Sequence, residues 1–160
     1  MIKLVVDSNV VFSSLIKGKK SRTLRRIIFF SSAVELIAPE ELLIEMQKHF
    51  EKFNSEEVEE CLYILFTQIS IIPREFYKDK IPEAYEIAKN FDEKDAPFIA
   101  LSLKLNAPVW TGDKEMIKYG LKSRKFLALD TQAVEELAKG KNLEEVLEDL
   151  KKRYPIPENK

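Results

Sequence analysis

Apolar residues follow two rhythms along this chain. Short unbroken runs bounded by polar residues predict buried strands over Ile2–Val6, 34–38, Ile69–Ile72, 108–111 and 126–129. Between them, apolar positions recur every three or four residues, the period of a helix with one buried face. In "PEELLIEMQKHFEKF", Leu42, Met46, Phe50 and Phe53 share a stripe, and Pro39 suits a first helical turn. "SEEVEECLYILF" predicts a helix with Ser55 as its N-cap, and "PEAYEIAKNF" starts another at Pro82. "FDEKDAPFIALSLKL" is apolar almost all round from 98 to 105, the pattern of a central helix. "NLEEVLEDLKKRY" offers Asn142 as a cap with Glu145 at capping-box spacing. The ending "YPIPENK" reads as a frayed tail. Strands separated by helices imply parallel pairing. The expected fold is α/β, a three-layer α/β/α sandwich with a central, mainly parallel sheet of about five strands.

Composition narrows the class. The chain has 160 residues, 45% of them hydrophobic, which suits a single domain with a real core. Charged residues make up 33%, yet the formal net charge is -1, so binding to nucleic acid would need a local basic patch. Cys61 is the single cysteine, which excludes an internal disulfide, and its setting in "EECLYIL" marks a small core residue. No apolar run is long enough to cross a bilayer, and the start has no signal-peptide pattern. A cytoplasmic protein with no membrane partner is the expectation.

Chemistry enters with the acids. The run Leu4, Val5, Val6 stops at Asp7, and Val109, Trp110, Thr111 lead into Asp113. Functional groups of open parallel sheets gather beyond the carboxyl ends of the strands. Asp130 follows "KFLAL" in the same way, but before "TQAVEEL" it reads as a helix cap. Glu45 falls about 60° from Leu42, at the border of its helix's apolar stripe, with His49 one turn on. Asp95 falls in the first turn of the central helix, with Asp92 three residues before it, and Pro97 fixes both at that helix's start. One of the two can cap; the other has no structural task. Carboxylates gathered at one end of a sheet repel unless protonated or bound to cations, and Mg²⁺ or Mn²⁺ would resolve that conflict. No Cys/His cluster competes, which argues against zinc.

The stretches "VVDSNVVFSSL", "APEELLIEM" and "FDEKDAPFIALSLKLNAPVWTGDKEM" together resemble the PIN-domain ribonucleases, many of them VapC-like toxins of prokaryotic toxin–antitoxin pairs. The resemblance spans about residues 2–130 and leaves the last helix outside it. It implies a PIN-like nuclease domain over 1–138, with 139–160 a helix and tail packed on the same domain. It places the metal-binding, catalytic acids at Asp7, Glu45, Asp95 and Asp113, with Asn9, Asp92 and Thr111 beside them. The implied activity is Mg²⁺- or Mn²⁺-dependent endoribonuclease cleavage of single-stranded or structured RNA. The implied partners are RNA and a small antitoxin protein; a homodimer is compatible, and oligomeric state is left open.

RNA binding would need local basic residues. "KGKKSRTLRR" holds Lys17, Lys19, Lys20, Arg22, Arg25 and Arg26 with no acid among them. "KEMIKYGLKSRK" offers Lys114, Lys118, Lys122, Arg124 and Lys125. Both stretches follow strands that end at the candidate site; solubility or partner contact explains any single lysine better, whereas for the first cluster as a whole phosphate binding is an even match. Trp110 reads as core rather than as a stacking platform. Other chemistries fit less well. A haloacid-dehalogenase-type phosphatase wants a second Asp two residues after the first, and Asn9 stands there. A response-regulator receiver carries its acceptor after a central strand. With one histidine, His49, mechanisms that need two imidazoles are excluded. The remaining alternative is a non-catalytic PIN-like module for RNA binding or assembly.

Overall fold

The computed structural model describes residues 1–15 and 19–156, with side chains described outside 16–21. Strand β1, Ile2–Val6, sits at the centre of the sheet. Leu4, Val5 and Val6 have no solvent exposure. Successive strand residues point to opposite faces, so both faces of β1 are covered. This is why its sequence is a continuous apolar run rather than an alternating one.

Around β1 lie β2 (Val34–Pro39), β3 (Ile69–Ile72), β4 (Val109–Trp110) and β5 (Ala128–Leu129). All four pairings are parallel, and the order is β3-β2-β1-β4-β5. Leu4 stands opposite Leu36 and Val6 opposite Trp110. Helices α1 (Ser8–Leu15), α2 (Lys19–Phe30), α3 (Glu41–His49) and α4 (Ser55–Thr67) fill the first half. They are followed by α5 (Arg74–Tyr77), α6 (Ile81–Ala88), α7 (Ala96–Leu105), α8 (Lys114–Ser123), α9 (Thr131–Ala138) and α10 (Leu143–Arg153). The result is the expected α/β sandwich on a five-stranded parallel sheet. No helix among the described residues is long and apolar enough to cross a membrane.

Several boundaries differ from the sequence expectation. Pro39 does not open a helix. It ends β2, opposite Ile72, in a strand position where its missing N–H is tolerated. Asn54, not Ser55, caps α4: its side chain accepts from the Glu57 N–H at 2.8 Å, and the Glu57 carboxylate accepts from the Asn54 N–H at 2.9 Å. Helix α6 begins one residue before Pro82. Strands β4 and β5 are two residues each, shorter than the apolar runs that contain them. Asn142 caps α10 as expected, accepting from the Glu145 N–H at 2.9 Å. Trp110 and Cys61 are fully buried core residues. The tail is described through Ile156, and Tyr154 is half-buried.

Asp130 is a cap and more. It accepts from the Ala133 N–H at 2.8 Å and takes two hydrogen bonds from Arg153, at 2.7 and 3.0 Å. That pair ties the end of α10 to the tip of β5, while Val146 and Leu150 bury the inner face of the same helix.

Candidate active site

From β1 the chain proceeds to β2 and β3 on one side of the sheet and then to β4 and β5 on the other, which makes the gap beyond the carboxyl ends of the parallel strands β1 and β4 a topological switch point. The Asp7 N–H donates to the Trp110 carbonyl at 3.0 Å, the last rung of the β1–β4 ladder. Its side chain therefore stands at the strand tip, and it is 1% exposed. Oδ2 accepts from the Thr111 hydroxyl at 2.7 Å. Oδ1 faces the Ser8 hydroxyl at 3.4 Å and the Asn9 N–H at 3.5 Å. Thr111, fully buried just past β4, also accepts from the Asp113 N–H at 3.0 Å. One hydroxyl thus locks the tips of β1 and β4 together. Asp113 caps α8 through Oδ1, which accepts from the N–H groups of Glu115 and Met116.

The remaining acids come from other elements. Glu45 is half-buried on α3, about one turn from the buried Leu42 and directly before the buried Met46. Asp92 and Asp95 divide their tasks: Asp92 caps the short 3-10 turn Glu93–Asp95 by accepting from the Lys94 N–H, whereas Asp95 makes no side-chain cap to α7.

Electrostatics records the convergence. The Asp95 carboxyl is pushed up to about 8, first by burial and then by repulsion from Asp7, Asp92, Asp113 and Glu45. Burial also raises Asp7, against the opposing hydrogen bonds from Thr111, Asn9 and Ser8, and Asp113 adds repulsion. Glu45 is raised by burial and by Asp7, while Ser8, Lys48 and His49 pull it back. Asp7, Glu45, Asp95 and Asp113, from four separate parts of the chain, therefore share one field.

An open groove of about 440 Å³ runs past Asn9, Glu45, Asp92 and Asp95. Among the described residues, no three Asp, Glu, His or Cys side chains stand close enough to form a preassembled metal shell. The donor chemistry nonetheless fits a hard cation. Every candidate ligand is a carboxylate, and Mg²⁺ characteristically keeps several waters while bonding one or two such groups. Glu41 also lines the groove, but its carboxylate is taken up by Arg74 at 2.6 Å and by the Tyr77 hydroxyl.

The basic residues read from sequence are dispersed. Arg25 donates to the Ser14 carbonyl at 2.7 Å and to Glu60 at 3.2 Å, which ties α2 to the end of α1 and to α4. Arg26 pairs with Glu135 of α9. Arg22 is exposed; Lys17 and the side chains of Lys19 and Lys20 lie outside the described residues. In the second stretch, Lys114 starts α8 next to Asp113. Lys122, Arg124 and Lys125 stand at or beyond the far end of that helix, and Lys125 lines a cavity with Asn106 and Pro108, before β4 begins. Only the Lys114 end of this stretch adjoins the acids. Sequence reasoning passed over two cations that do line the groove, Lys48 and Lys94. Their signal is local: Lys48 follows Glu45 by three helical positions, and Lys94 lies between Asp92 and Asp95.

The fold is an α/β protein with a five-stranded parallel sheet and carboxylates near the tips of β1 and β4, where ligands of such sheets commonly bind. The PIN domain family matches residues 5–151, and the chain belongs to that family. The match runs past residue 130, where the resemblance read from the motifs stops, and into α10. No curated protein matches the sequence. Among solved structures, the chain resembles one in the crystal structure of VapBC2 from Rickettsia felis bound to a DNA fragment from their promoter. The TM-score is 0.55 at 14% identity, over 81% of this chain and 98% of that one, a likeness of fold.

Proposed function

We propose that this protein is a divalent-metal-dependent endoribonuclease that works at the tips of β1 and β4. The observation that carries the reading is the meeting of Asp7, Glu45, Asp95 and Asp113 in one field beside an open groove. Thr111 holds the Asp7 carboxylate in one orientation, and the α8 backbone holds that of Asp113. Asp95, free of capping duty, and Glu45, at the groove wall, supply the other two carboxylates of the set. These carboxylates would hold Mg²⁺ or Mn²⁺, which when bound would supply an activated water and charge stabilisation for the leaving oxygen of an in-line displacement at phosphorus. No side chain of the site is required as a nucleophile. PIN domains are generally nucleases, and family membership supports the same reading.

The chain fits the toxin of a toxin–antitoxin pair, with a small antitoxin protein as its partner. The fold likeness to the VapBC2 chain supports that assignment. The activity test is incubation of metal-stripped protein with labelled RNA, with and without Mn²⁺. Cleavage is expected with Mn²⁺ alone and is lost in Asp7→Asn. RNA binding without cleavage at any Mn²⁺ concentration would replace the nuclease by a non-catalytic RNA-binding module.

A further inference from the structure

An acidic groove is a poor seat for RNA. Glu45, Asp92 and Asp95 line it, Asp7 lies behind them, and a polyanion approaching this surface is repelled. Cations at the reacting centre would neutralise the floor but would not hold the strand to either side. The groove itself supplies a second source of positive charge. Lys48 reaches it from α3, and Lys94 from the 3-10 turn before α7. Both residues are exposed.

Their position, together with their lack of a carboxylate partner, sets them apart. Lys78, Lys89, Lys104, Lys118, Lys139, Lys141 and Lys151 each form an ion pair with a carboxylate. Among the described residues, neither Lys48 nor Lys94 forms one within 4.0 Å; Lys3, Lys52, Lys80, Lys114, Lys122, Lys125 and Lys152 form none either, but only Lys48 and Lys94 line the acidic groove. His49 is differently employed, its ring packed edge-on to Phe12 with centroids 4.6 Å apart. Backbone geometry also steadies the two lysines. Lys48 lies in the last turn of α3, and the Lys94 N–H donates to Asp92 at 3.0 Å.

We propose that Lys48 and Lys94 hold the RNA phosphates that flank the reacting one, a clamp approaching the groove from two separate elements. This rests on the nuclease reading of the same site. It moves the main phosphate contacts from the α2 cluster to the groove. An ammonium is a compact point charge with three donors, and it can follow a flexible backbone without demanding one geometry. Two such contacts release counterions and leave a signature in the salt dependence of binding. A pair of lysines that merely offset the charge of Glu45 and Asp95 would leave no such signature.

The test uses the full chain carrying Asp113→Asn, which slows turnover while keeping a side chain able to cap α8. Binding of a labelled single-stranded RNA oligonucleotide is followed by fluorescence anisotropy in Mn²⁺ across a KCl series. Adding Lys48→Ala and Lys94→Ala together should weaken binding and reduce the slope of log K against log salt by about 1.4, two contacts at about 0.7 each. Adding Lys48→Arg and Lys94→Arg instead should keep the parent slope. An unchanged slope in the alanine pair overturns the clamp, and so does a parent that binds no RNA. The nuclease reading fails separately: wild type would then bind the oligonucleotide in Mn²⁺ and leave it intact.

Discussion

The Thr111 hydroxyl has one proton to donate, and it goes to Asp7; its oxygen accepts from the Asp113 N–H. Thr111→Val keeps the shape and removes both bonds. It leaves a buried carboxylate and a backbone N–H without their partner, so a loss of about 1–3 kcal/mol is expected in thermal melts. Mn²⁺-dependent cleavage should fall roughly 10- to 100-fold, the usual effect of releasing a ligand's support. Thr111→Ser should restore most of both, and wild-type cleavage by the valine variant would remove Thr111 from the site. Asp95 and Asp92 differ by the same logic. Asp95→Asn should abolish cleavage and keep the fold, whereas Asp92→Asn should keep much of both because Asn caps nearly as well as Asp. Equal loss of cleavage would place Asp92 among the working acids. Asp95 also predicts a pH dependence. Its carboxyl is raised from the ordinary carboxylate range to about 8, so between about pH 4 and pH 8 the folded chain holds a proton that the unfolded chain has released. Metal-free stability should therefore fall as pH rises through that window. Melts in chelator should show a shallower fall for Asp95→Asn; an identical pH profile would mean that neither burial nor the neighbouring acids raise the Asp95 carboxyl.

At the scale of elements, the informative arrangement is α1, α2 and α4. Arg25 satisfies the Ser14 carbonyl near the end of α1 and bridges to Glu60 of α4, from a half-buried position. Its charge is therefore committed to assembling three helices. Arg25→Ala should cost about 1–2 kcal/mol in denaturant unfolding, from lost charged hydrogen bonds. Any RNA-binding defect in that variant has to be read against the loss of fold. Arg22, exposed on the same helix, separates the two effects. Arg22→Ala should leave the melting temperature unchanged. Should α2 also touch RNA, it would lower the salt slope by about 0.7. An unchanged slope assigns Arg22 to solubility or to contact with a protein partner.

At the scale of the whole molecule, the acid cluster sets metal binding against stability. Without metal, carboxylates carried by β1, α3, the turn before α7 and the loop after β4 are held together against their repulsion. Sites arranged for function are often kept at such a cost. Asp7→Asn removes one buried charge at nearly constant size, so it should raise the melting temperature in chelator at neutral pH. Wild type should gain stability as Mn²⁺ is titrated, by about 2.7 kcal/mol at a hundredfold excess over the dissociation constant. The variant should gain much less. A variant that melts lower in chelator and keeps the full Mn²⁺ shift would leave Asp7 as a structural group at the start of α1.

The sequence by itself determined the sheet and the position of its acids along the chain. Strands covered on both faces must be written as unbroken apolar runs, so β1 and β2 are legible as strings of Val, Leu and Ile. An acid at or just beyond the end of such a run stands near a strand tip, which made Asp7, directly after β1, and Asp113, three residues past β4, visible. The helix borders were less legible. Pro39 is allowed either in a first helical turn or at a strand end, and pairing with β3 decided which. Asn54 and Ser55 are both good caps, and backbone geometry chose Asn54. Only the tertiary structure decided the use of the cations. Arg25 reads as a basic surface residue until Glu60, 35 positions on, is brought beside it. Lys48 and Lys94 read as ordinary solvated lysines until α3 and the turn before α7 are set around one groove. The Thr111–Asp7 bond joins residues 104 positions apart. Periodicity reports which face a residue takes within its own element; the partner that a charge or a hydroxyl meets depends on how separate elements pack, and no local pattern encodes that.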